Sequence, residues 1–210
     1  MKLFIIFVDI ITTMKNLILF LSCFLSFHFF SQKHSSEVLS YYNEVVMNSE
    51  FSGKMEKPFK WTKDMKIYVD KTDQNYLVDE LNRIVNDLNL LIDPIQIKIV
   101  NSKDQANYFI YFGYYKDFEK KYNVVNSNLL KNNWGFFEIY PNNTGIMYVD
   151  VIRTKEIEAQ KHLLREELTQ SLGLLNDSWK YPQSIFYQGW TTTTEYSSID
   201  KEIIKMLYNE

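Results

Sequence analysis

Hydrophobic positions along the chain switch repeatedly between a helical and a strand period. In SEVLSYYNEVVM, from Ser36, residues Val38, Tyr41, Tyr42, Val45 and Val46 gather on one side of a helical wheel. KIYVD, residues 66–70, alternates as a strand does. Across 73–91, Leu77, Leu81, Ile84, Val85 and Leu88 return to helical spacing, behind Asp73 as the expected cap. IQIKIV (95–100) puts Ile95, Ile97 and Ile99 on one strand face, and YFIYFGYY (108–115) reads as a strand buried on both faces. WGFFEIY (134–140) and IMYVDVI (146–152) flank PNNTG, which predicts a hairpin with a five-residue loop. Residues 156–172 form a helix closed by Gly173, and a loop runs to about residue 195. SSIDKEIIKMLY predicts a last helix with Ser197 or Ser198 at its N-cap and Ile199, Ile203, Ile204 and Leu207 inward. This succession of strands and helices is that of an α+β fold. No repeat, linker or charge block divides residues 33–210, so they are expected to form one domain.

The first thirty residues follow neither period. From Met14, a basic start at Lys15 leads into an apolar run, Leu17 to Phe30, and then polar SQK. That is the anatomy of a signal peptide, with residues 1–32 removed on export. Asp9 interrupts an apolar run begun at Met1, so the leader is expected to start at Met14. A retained anchor at 17–30 is the alternative, although that run falls short of the roughly 20 residues a spanning helix needs. Cys23 sits inside the run, where a lipid-attachment cysteine would end it. Residues 33–210 contain no cysteine, which suits an oxidising compartment outside the cytoplasm.

Composition narrows the function classes. The 210 residues are 46% hydrophobic and 16% aromatic, which excludes wholesale disorder. One cysteine excludes a disulfide scaffold or a four-cysteine zinc site. A net charge of −3 and only three arginines, Arg83, Arg153 and Arg165, argue against nucleic acid as a partner.

Chemistry concentrates on the helix at 156–172, read here as HLLREELTQSLGLLNDS. With Leu164 at zero on the wheel, Leu168 and Leu172 complete a buried stripe. Glu166 and Gln170 fall together on the opposite face, with His162 one turn earlier. By position alone Glu166 is an ordinary surface residue. Glu167 falls inside the apolar arc, where a carboxylate needs a partner or a role. Glu166 and Glu167 diverge by about 100° and do not make a facing glycosidase-type pair.

EELTQSLG resembles the zincin metalloprotease signature H-E-x-x-H-x-x-G with both histidines replaced. The resemblance puts Glu166 and Gln170 at the first two ligand positions, keeps Glu167 as candidate general base, and keeps Gly173 at the turn. In the metzincin subset the third ligand position falls on Asn176, and YPQSIFYQGW resembles the Met-turn segment with Phe186 in place of methionine. The implied architecture is a small mixed sheet with a signature helix, a Met-turn-like loop and a C-terminal helix. REELTQSLGLLNDS followed by YPQSIF is also similar to the bacterial "domain of unknown function 2927" family, which implies a scaffold and an exported address but no activity.

The replacements remove the usual zinc chemistry. Neutral amide oxygens are poor zinc ligands and suit calcium better. Residues 33–210 hold two histidines, His34 and His162, too few for a three-histidine site. The primary expectation is therefore an exported, non-catalytic binding domain, a pseudo-metalloprotease without metal or cofactor. It would engage a peptide, protein or glycan in the envelope or outside the cell, and meet the membrane only during export. Its binding positions would be Glu166, Gln170, Asn176 and His162. The rival is a peptidase-like hydrolase with an atypical zinc or calcium site and Glu167 as base. The aromatic residues Trp179, Tyr181, Phe186, Tyr187, Trp190 and Tyr196 form either core and loop cover or a stacking platform. TTTT at 191–194 is prone to form an edge strand.

Overall fold

Period-two alternation is plainest in the strand at Thr144–Asp150. Ile146 and Tyr148 point to one apolar cluster, and Met147 and Val149 point to the other. Both faces of the sheet are therefore covered. The computed structural model describes residues 34–47, 57–70, 72–125 and 127–209. The expected leader, residues 1–32, and the anchor alternative at 17–30 lie outside the described residues. No helix among the described residues is long and apolar enough to cross a membrane.

Helix α1 (Ser36–Tyr42) continues into a π-helical turn at Asn43–Met47. Then come β1 (Met65–Val69), α2 (Asn75–Asn89), β2 (Ile97–Ile99), a 3₁₀ turn at Lys103–Gln105 and β3 (Tyr108–Gly113). They are followed by α3 (Tyr115–Tyr122), α4 (Ser127–Asn132), β4 (Gly135–Tyr140), β5 (Thr144–Asp150), α5 (Ile157–Gln170) and α6 (Ser198–Asn209). The sheet order is β2-β1-β3-β5-β4. All pairs are parallel except β4–β5, so β4 is an antiparallel edge strand. The α+β order expected from the zincin resemblance, with signature helix, loop and final helix after a hairpin, is the order observed.

The larger core lies between the sheet and α2 and α5. It includes Met65, Ile67, Leu77, Leu81, Leu164 and Leu168, all fully buried. Arg165 is buried in the same layer. Its Nη1 reaches Asp87 Oδ2 at 2.7 Å, its Nη2 reaches Glu80 Oε1 at 3.1 Å, and its guanidinium lies 4.6 Å from the Tyr196 ring centre. These contacts lock α5 against α2 and against the segment that leads into α6. The second core, with Phe118, Leu130 and Tyr148, covers the opposite sheet face. There the Tyr148 hydroxyl reaches the carbonyls of Leu130 at 3.0 Å and Asn133 at 2.6 Å, holding α4 at the sheet. Tyr148→Phe is expected to destabilise the domain by about 1–2 kcal/mol in urea unfolding, the range for losing a buried hydrogen bond.

Local expectations are corrected at four points. Asp73 does not cap α2, which starts after Gln74 without a side-chain cap. The 108–115 strand ends at Gly113, and Tyr115 opens α3, whose left-handed C-cap is Asn123 at φ 54°. The hairpin loop has three residues, because Tyr140 pairs with Thr144 and Asn143 takes φ 62°. Asn143 Oδ1 then accepts the Thr62 backbone N–H at 2.6 Å, which anchors that turn. Finally, residues 191–194 form no strand.

Candidate functional site

Helix α5 floors a cleft of about 350 Å³ with His162, Leu163, Glu166, Glu167 and Gln170. One wall is the passage from α4 into β4, Asn132 to Gly135. The other is Asp177 with the loop Tyr187 to Thr191. An adjoining hollow of about 210 Å³ shares Asn133, Gly135, Glu167, Gln170 and Asp177 and runs on past Phe136 and Phe137 of β4. The two hollows form one trough beside the start of the edge strand.

The helix places these groups by its period. His162, Glu166 and Gln170 recur every four residues and make one stripe, and Glu167 lies beside it. The expectation of an ordinary surface Glu166 is corrected: its side chain is 12% exposed. A wheel registers only the helix, and the loop at 187–193 covers this face. Burial, then the charges of Asp177 and Glu167, push the Glu166 carboxyl well above its ordinary range.

Glu167 sits at the junction of the two hollows. Burial, then the Asp177 charge, raises its pKa to about 8. Among the described residues no hydrogen bond reaches its carboxyl group. Gly135 faces it closely: a Cβ there would come within 2.4 Å of Glu167 Oε1. Glycine at the start of β4 therefore leaves the room that this carboxyl occupies.

The remaining expected positions separate. Gln170 lines the cleft, but its Nε2 donates to Asp177 Oδ1 at 2.6 Å. Asn176 is buried outside the cleft lining, and both its backbone N–H and its Nδ2 donate to the Val45 carbonyl at 3.1 Å. His162 is 5% exposed and lines the cleft, with Nδ1 2.6 Å from the Thr193 carbonyl. Burial pushes its pKa below the ordinary value. Thus Glu166, Gln170 and Asn176 do not face a common point, and an ordinary zincin zinc set does not fit here. Among the described residues no three His, Cys, Asp or Glu side chains group to hold a metal ion.

The turn after α5 keeps its expected glycine. Gly173 takes φ 121° and donates to the Gln170 carbonyl at 2.8 Å. Phe186 is fully buried and Tyr196 nearly so, as core residues of the loop. Beyond them the loop is fixed through Ser184, whose Oγ bonds Tyr41 at 2.7 Å and Asp200 Oδ1 at 2.6 Å. Trp190 instead stands at the cleft with Trp134, their rings 5.2 Å apart at 86°. Asp177, Trp134 and Gly135 were not singled out in the sequence. The signal for Gly135 was its place at the head of an aromatic strand. The signal for Asp177 was its position beside the third-ligand residue.

The model of a family described as "Protein of unknown function (DUF2927)" matches residues 35–210. Among solved structures, one of myroilysin aligns with a TM-score of 0.44 and 13% identity, over 72% of this chain and 96% of that one. A crystal structure of myroilysin aligns with a TM-score of 0.45 and 11% identity, over 72% of this chain and 86% of that one. That likeness carries nothing about the chemistry of the site. No curated protein matches the chain.

Proposed function

The chain belongs to the DUF2927 family, and we propose that its domain is an exported, non-catalytic receptor for an extended peptide, a pseudo-metalloprotease that binds where a protease would cut. The observation that carries this reading is the separation of the three ligand positions beside a trough that stays open. Gln170 is engaged by Asp177 and Asn176 by Val45. The trough follows β4, an edge strand that no described strand pairs on its outer side. An extended peptide adds to such an edge through main-chain hydrogen bonds, while pockets beside it select side chains. Export is supported by the apolar run at 17–30 and by the lack of cysteine after it.

The test is a peptide-library selection on the purified chain, with mass analysis of each bound peptide after long incubation. Selected peptides are expected to be recovered intact. Gly135→Val, which drives a side chain into the Glu167 carboxyl, is expected to weaken binding by at least about tenfold. Cleavage that Glu167→Gln abolishes would overturn the receptor reading in favour of the hydrolase. One observation favours that second reading: Glu167 holds a raised pKa of about 8 in an open trough, as general acids and bases do. It then requires an atypical zinc or calcium site, or acid–base work without one.

A further inference from the structure

The head of the trough carries less charge than its composition suggests. Burial raises the carboxyls of both Glu166 and Glu167, and Glu167 keeps its proton to about pH 8. A protonated carboxyl has one O–H donor and still accepts, so it acts as a two-way hydrogen-bonding group and not as a charge. A cation gains little from such groups. An anion meets the charge of Asp177, and among the described residues neither hollow is lined by a lysine or an arginine. The matching ligand group is uncharged and offers a donor and an acceptor together.

Strand register determines which part of a bound peptide meets these groups. Phe137 and Ile139 turn to the α5 side of the sheet, and Gly135, two residues before Phe137, shares that face. A Cβ at Gly135 would run into Glu167 Oε1, so the absent side chain leaves that carboxyl open here. A peptide strand added along the outer edge of β4 sends every second side chain to the same face. The one opposite Gly135 meets a carboxyl that no hydrogen bond from the described residues satisfies. At the rim, the rings of Trp134 and Trp190 stay exposed while they pair edge to face. They offer apolar surface to the methylenes of a side chain whose end is polar.

Resting on the peptide reading, we propose that the head of the trough is a subsite for a primary amide, the side chain of a glutamine or asparagine in the bound peptide, paired with Glu167 and laid against Trp134 and Trp190. A primary amide presents its carbonyl and one N–H along the same edge. The Glu167 O–H donates to that carbonyl, and the Glu167 carbonyl oxygen accepts the N–H. A trans main-chain peptide group turns its C=O and N–H to opposite sides and cannot close this pair. A carboxylate side chain lacks the donor, and leucine lacks both groups.

The test has two arms. In the first, glutamine blocked at both ends is titrated into the full chain at pH 6, followed by NMR of the glutamate carboxyl carbons and the tryptophan indole N–H groups. It is expected to shift Glu167, Trp134 and Trp190, with blocked glutamate and blocked leucine at least about tenfold weaker. Glu167→Gln, which still donates and accepts, is expected to keep this preference, and Glu167→Leu to lose it. The shifts are read in the unaltered chain, so the result does not depend on whether a variant folds. Equal binding of the three blocked residues, or no shift with any of them, overturns the proposal. So does a neutral oligosaccharide that shifts the same signals while glutamine does not. In the second arm, peptides selected on the chain are substituted position by position. Binding without an amide preference at any position overturns the subsite and leaves the receptor reading standing. An amide response with no peptide selected keeps the subsite and removes the receptor reading.

Discussion

Replacing Glu167 by glutamine is expected to make the domain more stable than the unaltered chain at pH 8, and no more stable at pH 4. The folded carboxyl keeps its proton to about pH 8, against 4.5 for an unperturbed glutamate. Between those values the folded state binds one proton that the unfolded state has lost, so stability falls as pH rises through that window. The stabilisation is complete below 4.5 and gone above about 8. At 1.36 kcal/mol per pKa unit, and discounted for the solvent the trough admits, the difference is about 2–4 kcal/mol. Glutamine carries no charge at any pH and removes this slope. Glu166 is displaced in the same direction, so the variant keeps a residual slope from that group. Thermal melts of both proteins across pH 4–9 decide the matter, and parallel curves would show that Glu167 ionises freely in the fold. A carboxyl group held at such a cost, with no hydrogen-bonding partner among the described residues, is where a ligand's donor would be expected to bind.

Gly173→Ala is expected to destabilise the domain by about 3–5 kcal/mol or to abolish cooperative unfolding in urea. Two effects act together there. Gly173 has φ 121°, which an L side chain rarely adopts, and a Cβ would stand 2.1 Å from the Phe59 carbonyl oxygen. The obstacle is backbone and cannot swing away. Gly135→Ala provides the contrast. Its obstacle is the Glu167 side chain from Cγ outward, which must turn toward the trough as a whole but is not fixed backbone. That variant is expected to remain folded while moving the Glu167 titration, readable by carboxyl NMR.

Periodicity exposes what it measures, namely burial along one element. The leucine stripe of α5 and the alternation of β5 were therefore legible. So was the oddity of Glu167, because a carboxylate inside an apolar arc conflicts with its own helix. Glu166 escaped because what covers it is the loop at 187–193, distant in sequence and without a period of its own. Asn176 followed the zincin spacing, but spacing does not fix side-chain direction, and the chain after Gly173 turns that amide toward Val45. α3 was hidden by composition. Its eight residues carry five charges and only two buried side chains, Tyr115 and Phe118, and it follows an aromatic strand without a break. The short turn before β5 needed Asn143 at positive φ, which turn residues permit but do not announce.

A bare strand edge also recognises its own kind. β4 reads GFFEIY, aromatic and β-prone, with Glu138 as its one charge. A charge on such an edge disfavours pairing with a second copy, so Glu138 is expected to oppose self-assembly. Glu138→Val is expected to give concentration-dependent light scattering where the unaltered protein stays monodisperse. Self-pairing of this kind would seal the trough from one side. In the Glu138→Val protein, pairing of copies would thereby compete with a peptide for the same edge.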